Sequence, residues 1–305
     1  MLVYVDDILV TGNRLSDVNS FISTLCSRFV NRDLGEFNFF LGIEAVKQSD
    51  GSLLLSQKQY MLDLLKKANM LNYKPVSTPM STSTSPDDTS IGDSFASVDP
   101  TLYRQLVGSL QYLTLTRLDL SYAVNRVCQH MHAPTAEHFG LVKRILRYVK
   151  STIALGLIIT PSRDFTIQAF SDADWAGFSS DRRSTGGYAV YLGSNIVSRQ
   201  SKKQRTVTRS STESEYKALA NCSAEISWLV PLFGELHFSP SKSPILWCNN
   251  LEKVAHKELQ VQFISTKDQI ADILTKPLRT TRFVFFRSKL RLCSRKPFAC
   301  EGSIG

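Results

Sequence analysis

The order of strand and helix patterns after residue 155 limits the possible folds more than any other feature. Short apolar stretches separated by glycine-containing loops predict strands, three of which can form a meander, at 155–160, 165–171, 187–192 and 195–200. A long helix at 211–235 follows, with Ser210 or Ser211 as its N-cap. Then follow a predicted strand at 245–248, a short helix at 251–258, a strand at 260–264 and helices at 267–275 and 279–290. This order predicts an α/β fold with a mixed sheet and helices packed on it.

The first half has a different organisation. It opens with a predicted β-hairpin at 2–10 that carries Asp6 and Asp7 near its turn. Between residues 77 and 97, 11 of 21 residues are Ser or Thr, which predicts a linker or a loosely ordered surface loop. The remaining patterns are helices at 15–30, 57–69, 100–115, 119–132 and 135–150 and strands at 39–46 and 52–55.

Length and composition exclude several protein classes. With 305 residues, 43% of them apolar and 21% charged, the chain is typical of a globular protein and not of a collagen, a disulfide-rich miniprotein or a disordered tail. No apolar run is long enough to cross a bilayer and the first residues lack a signal-peptide pattern, so we expect an intracellular protein. Six cysteines without a C-x-x-C pair favour buried thiols over zinc or a disulfide framework.

The positive charge is concentrated in the second half. Residues 151–305 account for +8 of the formal net charge of +9. Two segments, 182–212 and 276–296, contain seven and eight basic side chains and no acidic one. Such segments suit a polyanion, although a solvated face kept positive for solubility is the alternative. The candidate nucleic-acid contacts are Arg182, Arg183, Lys202, Lys203, Arg205 and Arg209.

Four positions with carboxylate or amide side chains lie where the predicted elements could bring them together. Asp172 ends a predicted strand, Glu215 lies in the first turns of the long helix, Asn249 ends the next strand, and Asp272 lies in the penultimate helix. Hydrolysis of phosphodiesters by two Mg²⁺ ions needs several carboxylates around the ions. Any one of these acids alone would most often be an ordinary surface residue, so the pattern by itself is only compatible with a metal-dependent site.

The surroundings of these residues resemble the ribonuclease H domain of copia-type LTR retrotransposon polyproteins. The matching segments are SDADWAG (171–177), DRRSTGGY (181–188), SKKQ (201–204), SSTESEY (210–216) and ADILTK (271–276). The first half resembles the reverse transcriptase just upstream in the same polyprotein, through YVDD (4–7), DLG (33–35), FLGIE (40–44), VGSL (107–110) and TRLD (116–119). Taken together these motifs are specific, whereas VDD alone would carry little weight.

The resemblance implies a fold and a set of domains. It implies a ribonuclease H-like mixed five-stranded sheet with flanking helices, preceded by a truncated palm, thumb and connection segment. The implied domains are a palm-end and thumb remnant (1–76), a linker (77–99), a helical connection segment (100–155), a ribonuclease H-like domain (156–292) and a tail (293–305). The implied cofactor is Mg²⁺ or Mn²⁺ at a two-ion site, and it is the resemblance that implies Asp172, Glu215 and Asp272 as catalytic, metal-ligating residues. The implied partners are an RNA–DNA hybrid, RNA or single-stranded DNA and the rest of the polyprotein, in the cytoplasm within a virus-like particle or in the nucleus.

Three departures from the family pattern weaken the implied catalysis. Asp6 and Asp7 supply only part of a polymerase metal site, because the family places a further carboxylate upstream, and we expect no nucleotide incorporation by the isolated chain. At 248–250 the sequence reads CNN where the family has CDN, so Asn249 brings no charge to balance metal ions. The family's His-rich segment between residues 250 and 272 is absent, and His256 does not correspond to its product-release histidine.

Three hypotheses follow. The first is a fragment of a retrotransposon reverse transcriptase and ribonuclease H with weak or no activity. The second is a module that binds RNA–DNA hybrids without chemistry. The third is a decayed product without a selected role, against which a cooperative thermal transition would count.

Overall fold

The computed structural model describes residues 1–82, 99–178, 181–238, 240, 242–249 and 259–294. Its α-helices are α1 (Leu15–Arg28), α2 (Lys58–Lys67), α3 (Pro100–Leu113), α4 (Ser121–Cys128), α5 (Ala136–Ser151), α6 (Ser211–Glu235) and α7 (Thr280–Lys289). Its strands are β1 (Leu2–Tyr4), β2 (Asp7–Leu9), β3 (Phe39–Phe40), β4 (Ile43–Lys47), β5 (Leu53–Ser56), β6 (Leu155–Ile159), β7 (Ile167–Asp174), β8 (Thr185–Leu192), β9 (Asn195–Lys203), β10 (Ile245–Cys248), β11 (Gln260–Phe263) and β12 (Leu292–Ser294). The chain is therefore a mixed α/β protein.

A five-stranded mixed sheet forms in the second half, in the order β11-β10-β7-β8-β9. Strands β7, β8 and β9 form the predicted antiparallel meander. Strand β10 pairs in parallel with β7, and β11 pairs in parallel with β10. Helix α6 connects the meander to β10, because a parallel neighbour can be reached only through a long crossover.

The strand predicted at 155–160 lies in a different sheet from the one expected. β6 pairs with β5, in the register Leu53↔Ile159, and with β12, in a second five-stranded sheet of order β12-β6-β5-β4-β3. Strand β6 therefore pairs with one strand from before the predicted boundary between residues 155 and 156 and with one strand from after it. An alternating pattern identifies a strand but not its partner, which is decided by contacts far apart in sequence. Strand β12 has no counterpart among the predicted elements.

Two hydrophobic clusters pack the helices against the sheets. Helix α6 covers one face of the mixed sheet through Leu219, Cys222 and Ile226, which pack on Ala169 and Val190. The larger cluster joins α2 to α5 with the opposite face of the mixed sheet and with α7. Each fully buried Val, Leu, Ile, Phe or Met side chain in these clusters contributes roughly 1.5–3 kcal/mol from its removal from water.

Some predicted elements differ from those observed. The helix predicted at 267–275 is a 3-10 helix, Ile270–Leu274, and the one predicted at 119–132 is a 3-10 turn, Leu118–Leu120, followed by α4. The helix predicted at 251–258, most of the linker and the end of the tail lie outside the described residues. Among the described helices, none is long and apolar enough to cross a membrane.

The N-terminal hairpin and helix α1 form as predicted, but none of their apolar side chains is fully buried. β1 pairs with β2 in a two-stranded sheet, with Tyr4 opposite Asp7. No residue of α1 is buried within the part of the chain that the structure describes. In the predicted apolar stripe of α1, Leu15 and Phe29 are exposed, whereas Val18, Ile22 and Leu25 are half-buried.

Candidate functional site

The mixed sheet brings three of the four predicted positions to one cleft. Strands β7 and β10 are parallel neighbours, so their carboxyl ends lie at the same edge of the sheet. Asp172 near the end of β7, Glu215 in α6 and Asn249 just after β10 line this cleft together with Ser171, Thr212, Tyr216, Leu219 and Cys248. Ser210 caps α6 by accepting a hydrogen bond from the Glu213 backbone N–H at 3.1 Å, which fixes where the helix starts.

Asp272 joins Asp172 through a shared cation. The Lys276 ammonium lies 2.8 Å from Asp272 Oδ1 and 3.3 Å from Asp172 Oδ2. The Arg282 guanidinium donates to Asp272 Oδ2, and the Thr275 hydroxyl donates to Asp172 Oδ2. Both carboxylates are buried, Asp172 being 7% exposed and Asp272 1% exposed. The two predicted ligands thus form an ion-paired cluster with Lys276 and Arg282.

The surroundings shift the pKa values of this cluster. Burial, and next the neighbouring Asp172 carboxylate, raise the pKa of Asp272 to about 6. Burial disfavours the charged form of Lys276, but attraction to Asp172 and Asp272 outweighs it and raises the pKa of the ammonium. Lys276 therefore stays protonated and charged at neutral pH.

Asn249 is held by hydrogen bonds to other polar side chains. Its Oδ1 accepts from Gln269 Nε2 at 2.7 Å, and its Nδ2 donates to Thr266 Oγ1 at 3.2 Å. Gln269 also donates to the Ser171 carbonyl at 3.0 Å, and its Oε1 accepts from the Ala271 backbone N–H at 3.2 Å. Gln269 therefore links the ends of two strands to the start of the 3-10 helix that carries Asp272.

Two nearby acids have other roles. Glu213 accepts from the Arg209 backbone N–H at 2.7 Å and pairs with Lys217 at 2.7 Å, so it stabilises the start of α6. Asp174 folds back against the following loop, where a Cβ added at Gly177 would overlap its Oδ2. A side chain at residue 177 would therefore require the Asp174 carboxylate to move.

The predicted nucleic-acid contacts lie around one end of the β8–β9 hairpin. Arg182, Lys202, Arg205 and Arg209 are exposed. Lys203 pairs with Asp181 at 2.7 Å and Arg183 with the same carboxylate at 3.6 Å, so part of their charge is compensated. In the strand register Asp172 lies opposite Gly187, and Gly186 lies opposite Lys202, which places the cations and the acidic cleft at the same edge of the sheet.

Asp6 and Asp7 do not join this group. They lie in the exposed N-terminal hairpin, which forms its own two-stranded sheet. The resemblance assigns Asp6 and Asp7 to a polymerase remnant, separate from the ribonuclease H-like residues, and in the structure the two sets of acids lie in separate sheets.

The described residues do not fit a two-ion metal site. Within them, no group of three or more His, Cys, Asp or Glu side chains is arranged to hold a metal ion. Both Asp272 oxygens and Asp172 Oδ2 are engaged by Lys276, Arg282 or Thr275, and the Asn249 oxygen accepts from Gln269.

Sequence reasoning missed three of the residues that organise the site: Gln269, Thr275 and Arg282. Arg282 is contained in the basic segment 276–296, and Thr275 in the motif ADILTK, but neither position indicated its carboxylate partner. Gln269 lies two residues before that motif, and nothing in the sequence indicated that it would be fully buried.

Comparison with known proteins relates the chain to retrotransposons. A family model described as "Reverse transcriptase (RNA-dependent DNA polymerase)" matches residues 1–82. The retrovirus-related Pol polyprotein from transposon RE1 of Arabidopsis thaliana is 44% identical over 95% of the chain, which corresponds to 21% of the polyprotein. The corresponding RE2 polyprotein is 42% identical over 99% of the chain and 22% of its own length. The chain belongs to the copia-type retrotransposon Pol family.

This Pol-family chain spans about a fifth of the length of those polyproteins. It is also 50% identical to the uncharacterized mitochondrial protein AtMg00810 of Arabidopsis thaliana, over 75% of the chain and 93% of that protein. No solved structure matches the chain.

Proposed function

We propose that this Pol-family fragment binds RNA–DNA hybrids through the basic end of the β8–β9 hairpin, and that its ribonuclease H-like half has weak or no hydrolytic activity. The observation that carries the proposal is the position of Arg182, Lys202, Arg205 and Arg209 beside the acidic cleft, at one edge of the mixed sheet. Exposed cations hold phosphates without regard to sequence, which suits a substrate recognised through its backbone.

The order of elements supports the ribonuclease H-like assignment. A three-stranded meander, a long helix and two further parallel strands place the chemistry-bearing side chains at adjacent strand ends and at the start of that helix. Ancestral Mg²⁺ or Mn²⁺ binding would have used Asp172, Glu215 and Asp272, with Asn249 as the degenerate position. The loss of one carboxylate and the pairing of two others with cations account for weak hydrolysis.

We propose polymerase chemistry and the use of divalent metals as properties of the whole polyprotein. The same applies to the binding of RNA and single-stranded DNA. Reverse transcriptases normally use divalent metals, and we propose the rest of the polyprotein as a partner of this segment. Asp6 and Asp7 are proposed as polymerase-derived positions. We propose no catalytic step for them in the present chain.

Hybrid binding can be measured by fluorescence anisotropy as a function of salt. The affinity should fall steeply with added salt and should be the same with Mg²⁺ and with EDTA. The logarithm of the association constant falls linearly with the logarithm of the salt concentration. Replacing Arg205 and Arg209 by Ala should make this fall less steep, by about one unit of slope for each phosphate that is no longer neutralised. The matched control replaces Lys58 and Lys67, two exposed cations of α2, and should leave the slope unchanged. An equal decrease in the control variant would contradict the assignment of the surface.

Hydrolysis is tested separately on a labelled hybrid with Mg²⁺ or Mn²⁺. The expected result is little or no cleavage by the wild-type protein. Turnover that the substitution Asp172→Asn abolishes would overturn the proposal of impaired catalysis while leaving the binding surface intact.

A further inference from the structure

The acidic cluster already contains a cation supplied by the chain. Lys276 lies within ion-pair distance of both Asp172 and Asp272. Its side chain is 32% exposed, whereas those of Asp172 and Asp272 are 7% and 1% exposed. The ammonium thus lies between two buried carboxylates and the solvent.

The four ion-paired groups of this cluster carry no net formal charge, and Asp174 lies close enough to Asp172 and Lys276 to interact electrostatically with both. Asp172 and Asp272 contribute two negative charges, and Lys276 and Arg282 contribute two positive ones. Arg282 is directed to the second oxygen of Asp272, and Thr275 donates to the Asp172 oxygen that faces Lys276. A divalent ion that took Asp172 Oδ2 or either Asp272 oxygen as a ligand would have to displace at least one of these donors.

Hydrogen bonds and close packing hold the backbone around Lys276 in place. The Lys276 N–H donates to the Asp272 carbonyl at 3.2 Å, and Gln269 caps the 3-10 helix that precedes it. Leu274 and Thr275 pack so closely on the mixed sheet that a Cβ at Gly187 would lie 2.9 Å from each. Lys276 is also four residues after Asp272, the separation at which opposite charges meet on a helical turn.

We propose that Lys276 is the resident cation of this site: its ammonium holds Asp172 and Asp272 together in place of a metal ion, and a divalent ion binds there only after Lys276 is displaced. The inference rests on the proposed function only in identifying these carboxylates as ancestral metal ligands. It assigns to Lys276 a stabilising role that is independent of nucleic acid.

The test uses Mn²⁺ as the probe and the variant Lys276→Met. Mn²⁺ binding is measured by electron paramagnetic resonance, and Tm is measured in EDTA and in Mn²⁺. The wild-type protein should bind Mn²⁺ weakly and have the same Tm in both solutions. K276M should have a lower Tm in EDTA, because its carboxylates no longer have this counterion. Mn²⁺ should raise that Tm and bind K276M at least about tenfold more tightly than wild type.

Two further variants keep the test decisive. Lys289→Met removes an exposed cation from the same end of the chain and should behave like wild type in both measurements. K276M combined with Asp172→Asn removes the cation together with one carboxylate, so it should fold in EDTA even if K276M does not, and it should not show the tight Mn²⁺ binding.

Three results would overturn the proposal. They are equal Mn²⁺ affinities of wild type and K276M, a K276M protein as stable as wild type in EDTA, and a K276M/D172N protein no more stable than K276M. None of these measurements includes a hybrid substrate. Failure of the hybrid-binding experiment and failure of this one are therefore distinguishable.

Discussion

At the scale of single residues, Asn249 shows how a change of one atom type alters the chemistry of a site without disturbing its hydrogen bonds. Its amide accepts from Gln269 and donates to Thr266. A carboxylate at the same position could accept from both, since the Thr266 hydroxyl can also donate. The difference between the amide and the acid is therefore charge rather than shape.

The substitution Asn249→Asp should keep the fold and strengthen Mn²⁺ binding several-fold over wild type, because it adds one negative charge and a second hard oxygen to the cleft. Calorimetric titration with Mn²⁺ measures the affinity. The control Asn249→Leu should not bind Mn²⁺ more tightly, and it should lower the stability by about 1–3 kcal/mol because Gln269 is left without this acceptor. Unchanged affinity in N249D would show that residue 249 does not contribute to a cation site.

A pair of stacked histidines lies away from the acidic cleft. The rings of His130 and His138 are 3.5 Å apart, and His138 Nδ1 accepts from the Thr135 N–H at 3.1 Å in a capping box at the start of α5. Burial lowers the pKa of both, and the neighbouring charge of Arg126 lowers both further. At neutral pH the folded protein therefore favours the neutral form of both rings, even though Glu137 raises the pKa of His138 in opposition.

Because these pKa values are lowered on folding, the unfolded chain binds more protons at mildly acidic pH. Stability should fall as the pH drops below about 6.5, the pKa of an unperturbed histidine, and this fall should level off below the pKa values of the folded state. Urea unfolding at pH 7.5 and 5.5 measures the change. In His138→Gln, which keeps a capping-box acceptor, the fall should be smaller. An undiminished fall would assign the pH dependence to other groups.

At the scale of elements, a glycine allows the 3-10 helix to lie on the mixed sheet. Gly187 is opposite Asp172 in the strand register, and the absence of a side chain makes room for Leu274 and Thr275. The position of Asp272 relative to Asp172 depends on this close packing. The adjacent Gly186 has more space, with its nearest neighbouring atoms at 3.4 Å and 3.5 Å from a Cβ built there.

Gly187→Ala should destabilise the protein by about 1–3 kcal/mol, because the added methyl group overlaps backbone-proximal atoms of the 3-10 helix. Gly186→Ala should be neutral or stabilise the protein by up to about 1 kcal/mol, since glycine inside a strand costs conformational entropy. Chemical denaturation of both variants gives the comparison. Equal effects of the two substitutions would indicate that the 3-10 helix can move away without cost.

At the scale of the whole molecule, a buried ion pair joins the helical segment to the C-terminal helix. Arg117 and Asp119, both fully buried, form a bidentate pair, and Arg117 also donates to the Thr152 carbonyl at 3.0 Å. The Tyr148 hydroxyl donates to Asp119 and accepts from Arg287 of α7 at 3.1 Å. One polar network thus connects parts of the chain that are more than a hundred residues apart in sequence.

Breaking this pair should destabilise the whole fold. Asp119→Leu leaves a buried guanidinium without its counterion and should cost about 3–5 kcal/mol. The double variant Arg117→Met with Asp119→Leu should cost less than D119L alone, because no isolated charge remains. Urea unfolding followed by far-UV circular dichroism and by tryptophan fluorescence measures these costs. Non-coincident transitions in wild type would show that the two sheets unfold independently, whereas a single cooperative transition would argue against a decayed product.

The boundaries of many elements could be predicted from local patterns. Helix α6 begins and ends at the predicted residues, because its apolar spacing and its Ser210 cap are features of adjacent sequence. The meander β7-β8-β9 follows from short loops between alternating strands. The pairing of β6 with β5 could not be predicted, since it joins residues about a hundred positions apart across a change in composition.

The sequence by itself determined the order of elements, the family motifs and the placement of Asp172, Glu215 and Asn249 near one edge of a sheet, because periodicity, capping and strand ends are local properties. Only the tertiary structure decided that Lys276 and Arg282 neutralise Asp172 and Asp272 and that Gln269 holds Asn249. Those contacts depend on distance and desolvation between segments that fold together.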